Sequence, residues 1–321
     1  EEFGVKYVEA IEYQTKSDKY DERPISVLIV ELNSNDTSAL DASVNDIVNI
    51  CTPYEGVDVF VAKDAAEAEV FWEDRHKLSA IARRTSGFKI NEDIVIPIDV
   101  IPEFSDFIEH LNQRCTGRAF RTALGESGRL SGMPLEDKEL NRAFTFASKV
   151  AKGDVPIAEL SDQETLDQAL AYFEHAQDRY PNQRRKLGKI VEDMLATRII
   201  VANHMHAGDG NCHVNIPVDS NNPVMLHHAE EVAEEVMAKA QEMNGEVTGE
   251  HGIGITKIKF LSVKKMEELT LFKRRVDPLS IMNPAKLTQR DTPVQPFTFS
   301  FNRLIRDIQA SGLPEKERLI S

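Results

Sequence analysis

The stretch HMHAGDGNCHVN, residues 204–215, decides the fold of this chain. Its middle, Gly-Asp-Gly-Asn at 208–211, is typical of a turn, because glycine and asparagine accept a positive φ at little steric cost. Strand-like segments lie on both sides of it, at 198–203 and 212–218. The turn therefore folds the chain back on itself and predicts two neighbouring strands.

Helices and strands alternate on either side of this turn. Short apolar runs predict further strands at 25–32, 57–62 and 94–97. Apolar residues at helical spacing predict helices at 39–50, 65–84, 101–111 and 229–243. This alternation with short connections predicts an α+β fold, in which helices cover one face of a largely antiparallel sheet.

The middle of the chain carries a different pattern. Residues 113–195 show little strand signal but several helix signals, including the capping box that starts at Ser161. We interpret them as a helical insertion between two parts of one domain, residues 1–112 and 196–287. A C-terminal helical subdomain completes the predicted fold, and residues 288–321, with two prolines, are expected to form a linker or tail.

Composition and charge exclude several classes of protein. The 321 residues carry 38 basic and 53 acidic side chains, a formal net charge of −15 that argues against nucleic-acid binding. Apolar runs are far shorter than the roughly 18 residues of a membrane span. The three cysteines are too scattered for a disulfide scaffold or a zinc ribbon. The chain begins at Glu1 without a signal-peptide pattern, so we expect a cytoplasmic fragment or processed product.

The histidines of the 204–215 stretch suggest a metal site. His206 and His213 face one another if the turn folds back, and two converging imidazoles are half of a site for zinc, iron or a related ion. Asn215 lies two residues beyond His213, on the same face of an extended strand. Asp209 and Asn211 could orient the turn or bind a ligand. The alternative is that these are ordinary polar loop residues.

A second motif, GEHGIG at 249–254, adds a carboxylate and another imidazole. Glu250 would complete a set of two histidines and one carboxylate, which leaves coordination positions open for water or substrate. His251 would remain for proton transfer, since imidazole changes charge near neutral pH.

A third feature is a cluster of basic and hydroxyl side chains. Arg75 and Ser79 lie one turn apart on a predicted helix that begins before Trp72, and Lys89 follows. An arginine fork binds a carboxylate with two hydrogen bonds, and a lysine adds a positive charge. These residues form either an anion site or a surface with a packed aromatic ring.

Together these features resemble the C-terminal half of the FAD-linked oxidases, the family that includes D-lactate dehydrogenase, glycolate oxidase and D-2-hydroxyglutarate dehydrogenase. The resemblance rests on the following motifs in order: Trp72–Arg75, HAGDGN at 206–211 with His213 and Asn215, GEHGIG at 249–254, and NPAK at 283–286. It covers approximately residues 20–112 and 195–287.

The resemblance implies a two-domain flavoenzyme that oxidises a 2-hydroxy acid to a 2-oxo acid, with hydride passing to FAD. An N-terminal domain of the same protein would hold FAD, and a ferredoxin-like cap domain would close over the substrate. This chain corresponds to the cap domain. No FAD-binding domain is recognisable in it, so we expect the fragment alone to be inactive.

The resemblance also implies roles for residues of the two glycine-rich motifs. His206, His213 and Glu250 match metal ligands, and zinc, manganese and iron all suit this set. His251 matches the base that takes the hydroxyl proton. A Lewis-acidic metal at the hydroxyl would lower its pKa and make hydride transfer easier.

Residues outside these two motifs match substrate and cofactor positions. Arg75 and Lys89 correspond to holders of the substrate carboxylate, and Ser79 stands where threonine is often seen. Asn215 is expected to bind substrate as well. The expected cofactor-binding residues are Asp209, Asn211, Asn283 and Lys286.

The chain departs from the family pattern in its helical insertion and in its tail. The insertion at 113–195 has no counterpart in simple members, and Ala285 replaces the commoner glycine of the 283–286 motif. Residues 288–321 resemble the linker that leads into an iron–sulfur domain in large fused members. An iron–sulfur electron-transfer domain is therefore a possible partner. Two other functions remain open: a metal-dependent hydrolase, and a non-catalytic binding or scaffolding domain.

Overall fold

The computed structural model describes most of the chain in two compact units, residues 1–86 and residues 87–321. The described residues are 28–54, 57, 59–72, 88–134, 137–153, 160–219, 221–254 and 257–283.

The first unit contains two helical segments in its described part. Helix α1, Thr37–Cys51, begins after Asp36, whose carboxylate accepts hydrogen bonds from the amides of Ser38 and Ala39. Residues 65–72 are also helical. Both segments start where apolar periodicity predicts a helix.

The two strands predicted in the first unit are wrong for the residues that the structure describes. Residues 28–32, 57 and 59–62 have no strand pairing. Leu28 is 71% exposed and Val30 is 51% exposed. High β-propensity mainly reflects how side chains pack on a sheet surface, so an apolar run without a paired neighbour does not become a strand.

The second unit is built on a three-stranded antiparallel sheet. Its strands are β1, Phe88–Val95; β2, Ala202–His206; and β3, Asn211–Val218, in the order β1–β3–β2. Both neighbouring pairs are antiparallel, and a turn at 207–210 joins β2 to β3. The predicted α+β fold with an antiparallel sheet is confirmed.

Gly210 closes the turn between β2 and β3. Its φ is 76°, in the region that favours glycine. An added Cβ would clash with the carbonyl oxygen of Ile96. The backbone amide of Ile96 also donates a hydrogen bond to the Gly210 carbonyl oxygen at 3.0 Å. A glycine is therefore required there. Strand β2 begins later than predicted. The backbone N–H and C=O of Val201 form hydrogen bonds with the side chain of Asn112 and therefore do not pair with a neighbouring strand.

One face of the sheet forms the hydrophobic core. Alternate residues of β3 are fully buried on this face: Cys212, Val214, Ile216 and Val218. Helix α2, Ile101–Ser127, and helix α7, Pro223–Glu242, supply the apolar side chains that join them, including Phe104, Ile108, Leu226 and Val236. Because side chains alternate along a strand, the neighbouring residues of β3 carry polar groups to the opposite face.

A second hydrophobic cluster lies among helices. It is formed by the second half of α2 with α3, Lys138–Ala143; α4, Thr145–Lys152; α5, Asp162–Arg179; and α6, Arg184–Thr197. The capping box at the start of α5 is confirmed, since Ser161 and Glu164 exchange hydrogen bonds. Helix α2 is continuous across residue 113, where we predicted that the insertion begins.

Helix α8, Val263–Val276, follows α7 near the end of the described chain. No helix in the described ranges is both long enough and apolar enough to cross a membrane. The predicted tail, 288–321, lies outside the described residues.

Candidate active site

The polar face of the sheet collects the candidate residues in cross-strand rows. His213 on the central strand pairs with Asp93 of β1 on one side and with His204 of β2 on the other. Asn211 pairs with His206 in the neighbouring row. Directly opposed residues of adjacent strands point to the same face, so the strand register brings these polar side chains together.

His206, His213 and Glu250 converge at one point on this face. One ligand atom from each lies within 4.8 Å of the other two. The His213 Nε2 atom is 3.1 Å from Glu250 Oε1, and the His206 and His213 rings meet edge to face at 5.6 Å. Two imidazole nitrogens and a carboxylate oxygen are donors that suit zinc, manganese or iron, and three protein ligands leave positions open.

His251 lies beside this cluster. Its ring centroid is 5.1 Å from that of His213, and its Nε2 atom is 3.6 Å from Glu250 Oε1. The side chain is 44% exposed. The imidazole is thus both solvent-accessible and adjacent to two of the three candidate ligands, as a proton acceptor for a bound molecule must be.

His213 is the buried member of the group. Burial lowers the pKa of its imidazole, and the negative charge of Glu250 only partly opposes this effect. The neutral imidazole is the form that ligates metals, so this environment favours the ligand-competent state.

Asp93 connects the sheet to the loop that carries Glu250 and His251. Its Oδ2 atom accepts hydrogen bonds from the Thr248 hydroxyl and from the amides of Gly249, Glu250 and His251, at 2.9–3.0 Å. Burial raises the pKa of this carboxyl, but the hydrogen bonds from His251, Gly249 and Thr248, together with the positive charge of Lys257, outweigh burial and hold the pKa below its usual value. Sequence analysis missed Asp93, although an acidic residue directly before the apolar run 94–97 was a signal that could have identified it.

Within this loop, Gly249 packs closely against Asn211 and Asp93. A Cβ at this position would lie 2.5 Å from Asn211 Oδ1 and 2.9 Å from Asp93 Oδ1. The backbone amide of Asn211 donates a hydrogen bond to Asp209 Oδ1 at 3.0 Å, and this bond shapes the turn between β2 and β3. In this structure Asn211 and Asp209, two expected cofactor residues, organise the turn and the loop.

Lys89 and Asn215, two residues expected to bind substrate, form a direct hydrogen bond with each other. The Lys89 ammonium donates to Asn215 Oδ1 at 2.9 Å. The amide orientation follows from this contact, so Asn215 Nδ2 donates to His204 Nδ1, also at 2.9 Å, and the proton of a neutral His204 resides on Nε2. His204, to which sequence analysis assigned no role, also stacks on His213 at 4.9 Å.

The remaining candidate residues lie elsewhere in the chain. Arg75, Ser79 and Lys286 fall outside the described residues, so their roles stay predictions. Asn283 lies after α8 with a φ of 43°, in the left-handed region that asparagine tolerates.

Comparison with known proteins places this chain in a family. The family described as FAD linked oxidases, C-terminal domain, matches residues 5–125 and 142–287, more than half of the chain. The glycolate oxidase subunit GlcD of Bacillus subtilis is 34% identical over 108 residues, which cover 32% of this chain and 23% of that protein. Its Escherichia coli counterpart is 40% identical over 90 residues, covering 27% and 18%.

A D-2-hydroxyglutarate dehydrogenase of Xanthomonas citri is 33% identical over 95 residues, covering 27% of this chain and 20% of that protein. The chain thus spans less than a quarter of the length of these curated relatives. Since the family match extends over both the sheet and the glycine-rich loops, the chain belongs to the family of C-terminal domains of FAD linked oxidases.

Proposed function

We propose that this chain is the substrate- and metal-binding portion of an FAD-dependent dehydrogenase that converts 2-hydroxy acids to 2-oxo acids. The observation that carries the proposal is the convergence of His206, His213 and Glu250 beside His251 on the polar face of the sheet. Family membership supports FAD as the hydride acceptor, held by a partner FAD-binding domain.

The three converging side chains suit a divalent cation. His213 offers a buried neutral imidazole, whereas His206 and Glu250 are exposed and leave the site accessible to a substrate. A zinc, manganese or iron ion held there would supply Lewis acidity toward a hydroxyl oxygen.

His251 is the proposed base for the hydroxyl proton. Its contact with Glu250 keeps the imidazole next to the place where the hydroxyl would bind. Lys89, with Asn215 hydrogen-bonded to it, is proposed to hold the substrate carboxylate. Arg75 and Ser79 stay proposed carboxylate-binding residues on the family resemblance alone. A cation with a neighbouring amide discriminates a carboxylate from a neutral group by charge and by hydrogen bonding.

A metal-dependent hydrolase would use the same three ligands and their open positions. Family membership favours the flavin reaction, because hydrolysis requires no hydride acceptor. An iron–sulfur partner domain and a cytoplasmic location remain predictions, and several curated relatives carry names that place them in mitochondria.

The first experiment measures metal content. The purified chain is expected to bind about one divalent ion, by elemental analysis and by calorimetric titration, and His206→Ala and Glu250→Ala should each abolish this binding. His227→Ala is the matched control, because His227 lies on the surface of α7 and pairs with Glu231. Retention of the ion in both ligand variants would contradict the proposed site.

The second experiment measures the reaction. The chain is combined with its FAD-binding domain, and bleaching of the flavin absorbance is followed as D-2-hydroxy acids are added without oxygen. We expect bleaching by a 2-hydroxy acid and loss of bleaching in His251→Ala. Release of a hydrolysis product without any change in the flavin would instead favour the hydrolase.

A further inference from the structure

We infer that Asp93 is a positioning residue that assembles the active-site loop, and that without its carboxylate Glu250 does not reach the site at which His206 and His213 converge. The inference rests on the proposed function of that site. Asp93 itself is not one of the three converging ligands. Its part is to hold the backbone from which one of them extends.

The first observation is the number of hydrogen bonds that Asp93 Oδ2 accepts. Four consecutive residues, 248–251, each give Asp93 Oδ2 one hydrogen bond, three of them from backbone amides. Asp93 is fully buried, so solvent does not compete for these donors. Hydrogen bonds to a charged acceptor are roughly twice as strong as neutral ones, so these four bonds restrain the loop strongly.

The second observation is that the loop is attached to β1 at three places. The backbones of Val95 and Glu246 exchange two hydrogen bonds, which bring the chain alongside β1 before the loop begins. The buried ammonium of Lys257 donates to the Asp93 carbonyl oxygen at 2.7 Å and lies 3.4 Å from Glu92. The Asp93 carboxylate lies between these two attachments and is the one that contacts the backbone of Glu250 itself.

The third observation is the contrast between the two contacting side chains. The Glu250 side chain is 55% exposed, whereas that of His213 is 6% exposed, yet the two lie 3.1 Å apart. Packing does not restrain an exposed glutamate, so its position relative to His213 depends on its backbone. Asp93 also shares a cross-strand row with His213, which places the anchor and the buried ligand on the same rigid sheet.

The test is zinc binding to the 321-residue chain and to its Asp93→Asn variant. Asparagine keeps the size of the side chain but replaces the charged acceptor with a neutral amide. We expect the zinc dissociation constant to rise about 10- to 100-fold, the range typical of residues that orient metal ligands. The visible spectrum of bound Co²⁺ should also change, since it reports the number and geometry of ligands.

The matched control is Asp137→Asn in the helical cluster. Asp137 is likewise a buried carboxylate that accepts backbone hydrogen bonds, from the amides of Glu139 and Leu140. This variant should lose stability while its zinc dissociation constant and Co²⁺ spectrum stay unchanged. If Asp93→Asn does not fold, Thr248→Val removes one donor to the same oxygen and should weaken zinc binding to a smaller extent.

The outcomes separate this inference from the proposed function. If the unaltered chain binds zinc and Asp93→Asn binds it equally well with the same Co²⁺ spectrum, Asp93 only stabilises the fold and the inference is overturned. If the unaltered chain binds no zinc, Mn²⁺ or Fe²⁺, the proposed metal site fails first and the inference fails with it.

Discussion

The Nε2 atom of His213 lies 3.1 Å from the Oε1 atom of Glu250, although one residue belongs to the central strand and the other to a loop 37 positions later in the chain. The strand residue is buried on the polar face of the sheet, and the loop residue is half exposed. The site therefore combines a rigid half with a half whose geometry depends on how the loop is held. Substitutions in the loop should disturb the site more than they disturb the sheet.

Gly249→Ala tests how tightly this loop packs. The new Cβ would approach Asn211 Oδ1 and Asp93 Oδ1 closely, so the loop must shift away from the sheet. We expect a loss of about 1–3 kcal/mol in the free energy of unfolding, as for other overpacked sites, together with weaker zinc binding. Urea unfolding followed by circular dichroism and zinc titration measure the two effects.

Gly208→Ala is the control for this substitution. Gly208 lies in the turn between β2 and β3, and an added Cβ would meet no atom within 4 Å. Its stability and zinc affinity should remain close to those of the unaltered chain. If the two substitutions changed stability and zinc affinity equally, the close packing at Gly249 would not be the cause of the changes.

The pH dependence of stability should reflect Asp137. Burial raises the pKa of this carboxyl, but hydrogen bonds from the Tyr180 hydroxyl and from the Leu140 amide lower it more, so its folded pKa lies below its usual value. Because an unfolded aspartate has a pKa of about 3.9, the stabilisation by Asp137 is fully present above that pH. It is lost as the pH falls through the folded pKa.

Asp137→Asn removes this titration. The difference in unfolding free energy between the unaltered chain and the variant should therefore be constant from pH 7 to pH 5 and shrink below pH 4. Urea unfolding at a series of pH values measures this difference. A difference that grows on acidification would mean that the folded pKa is raised instead of lowered.

The hairpin and the approach of His206 to His213 could be predicted because their causes are local. A glycine-rich turn reverses the chain, and alternation along β3 then places His213 and Asn215 on one face. Asp93 could not be predicted in the same way, since its hydrogen-bond partners come 155 to 158 residues later in the chain. His204 was also missed, because its link to Lys89 through Asn215 depends on the register of three strands.

The two wrong strand predictions in the first unit also arise because a local pattern does not specify long-range pairing. The apolar runs predicted as strands at 25–32 and 57–62 have the composition of strands, but their described residues have no paired strand. Composition alone does not supply a partner strand. Of the run predicted as a strand at 94–97, only residues 94 and 95 lie in one, at the end of β1, which pairs along its whole length with β3. Local pattern therefore predicts which segments are capable of pairing, and long-range register decides which of them pair.

Two thiols should be unreactive in the folded chain. Burial raises the pKa of Cys212 to about 11 and that of Cys115 to about 12. The thiolate is the reactive form, so at pH 8 its population at Cys212 should be about a hundred-fold below that of an ordinary cysteine. Alkylation by iodoacetamide, followed by mass spectrometry of peptides, should label both residues slowly when folded and rapidly in urea. Equal rates in the two states would contradict the burial of these thiols.

Lys89→Met tests the proposed recognition of a substrate carboxylate, in the chain combined with an FAD-binding domain. Methionine keeps much of the apolar stem but removes the ammonium that donates to Asn215. A hydrogen bond to a charged group contributes about 1.5–3 kcal/mol, so KM for a 2-hydroxy acid should rise about ten-fold or more. Lys186→Met, at an exposed position on α6, should leave KM unchanged.

The methyl ester of the same hydroxy acid separates charge recognition from a general disturbance of the strand. The ester lacks the negative charge, so the unaltered enzyme should bind it weakly and Lys89→Met should change its KM little. If the substitution instead raised KM equally for acid and ester, Lys89 would act by holding Asn215 and His204 in place. The ratio of the two KM changes therefore distinguishes a carboxylate-binding lysine from one that supports the sheet.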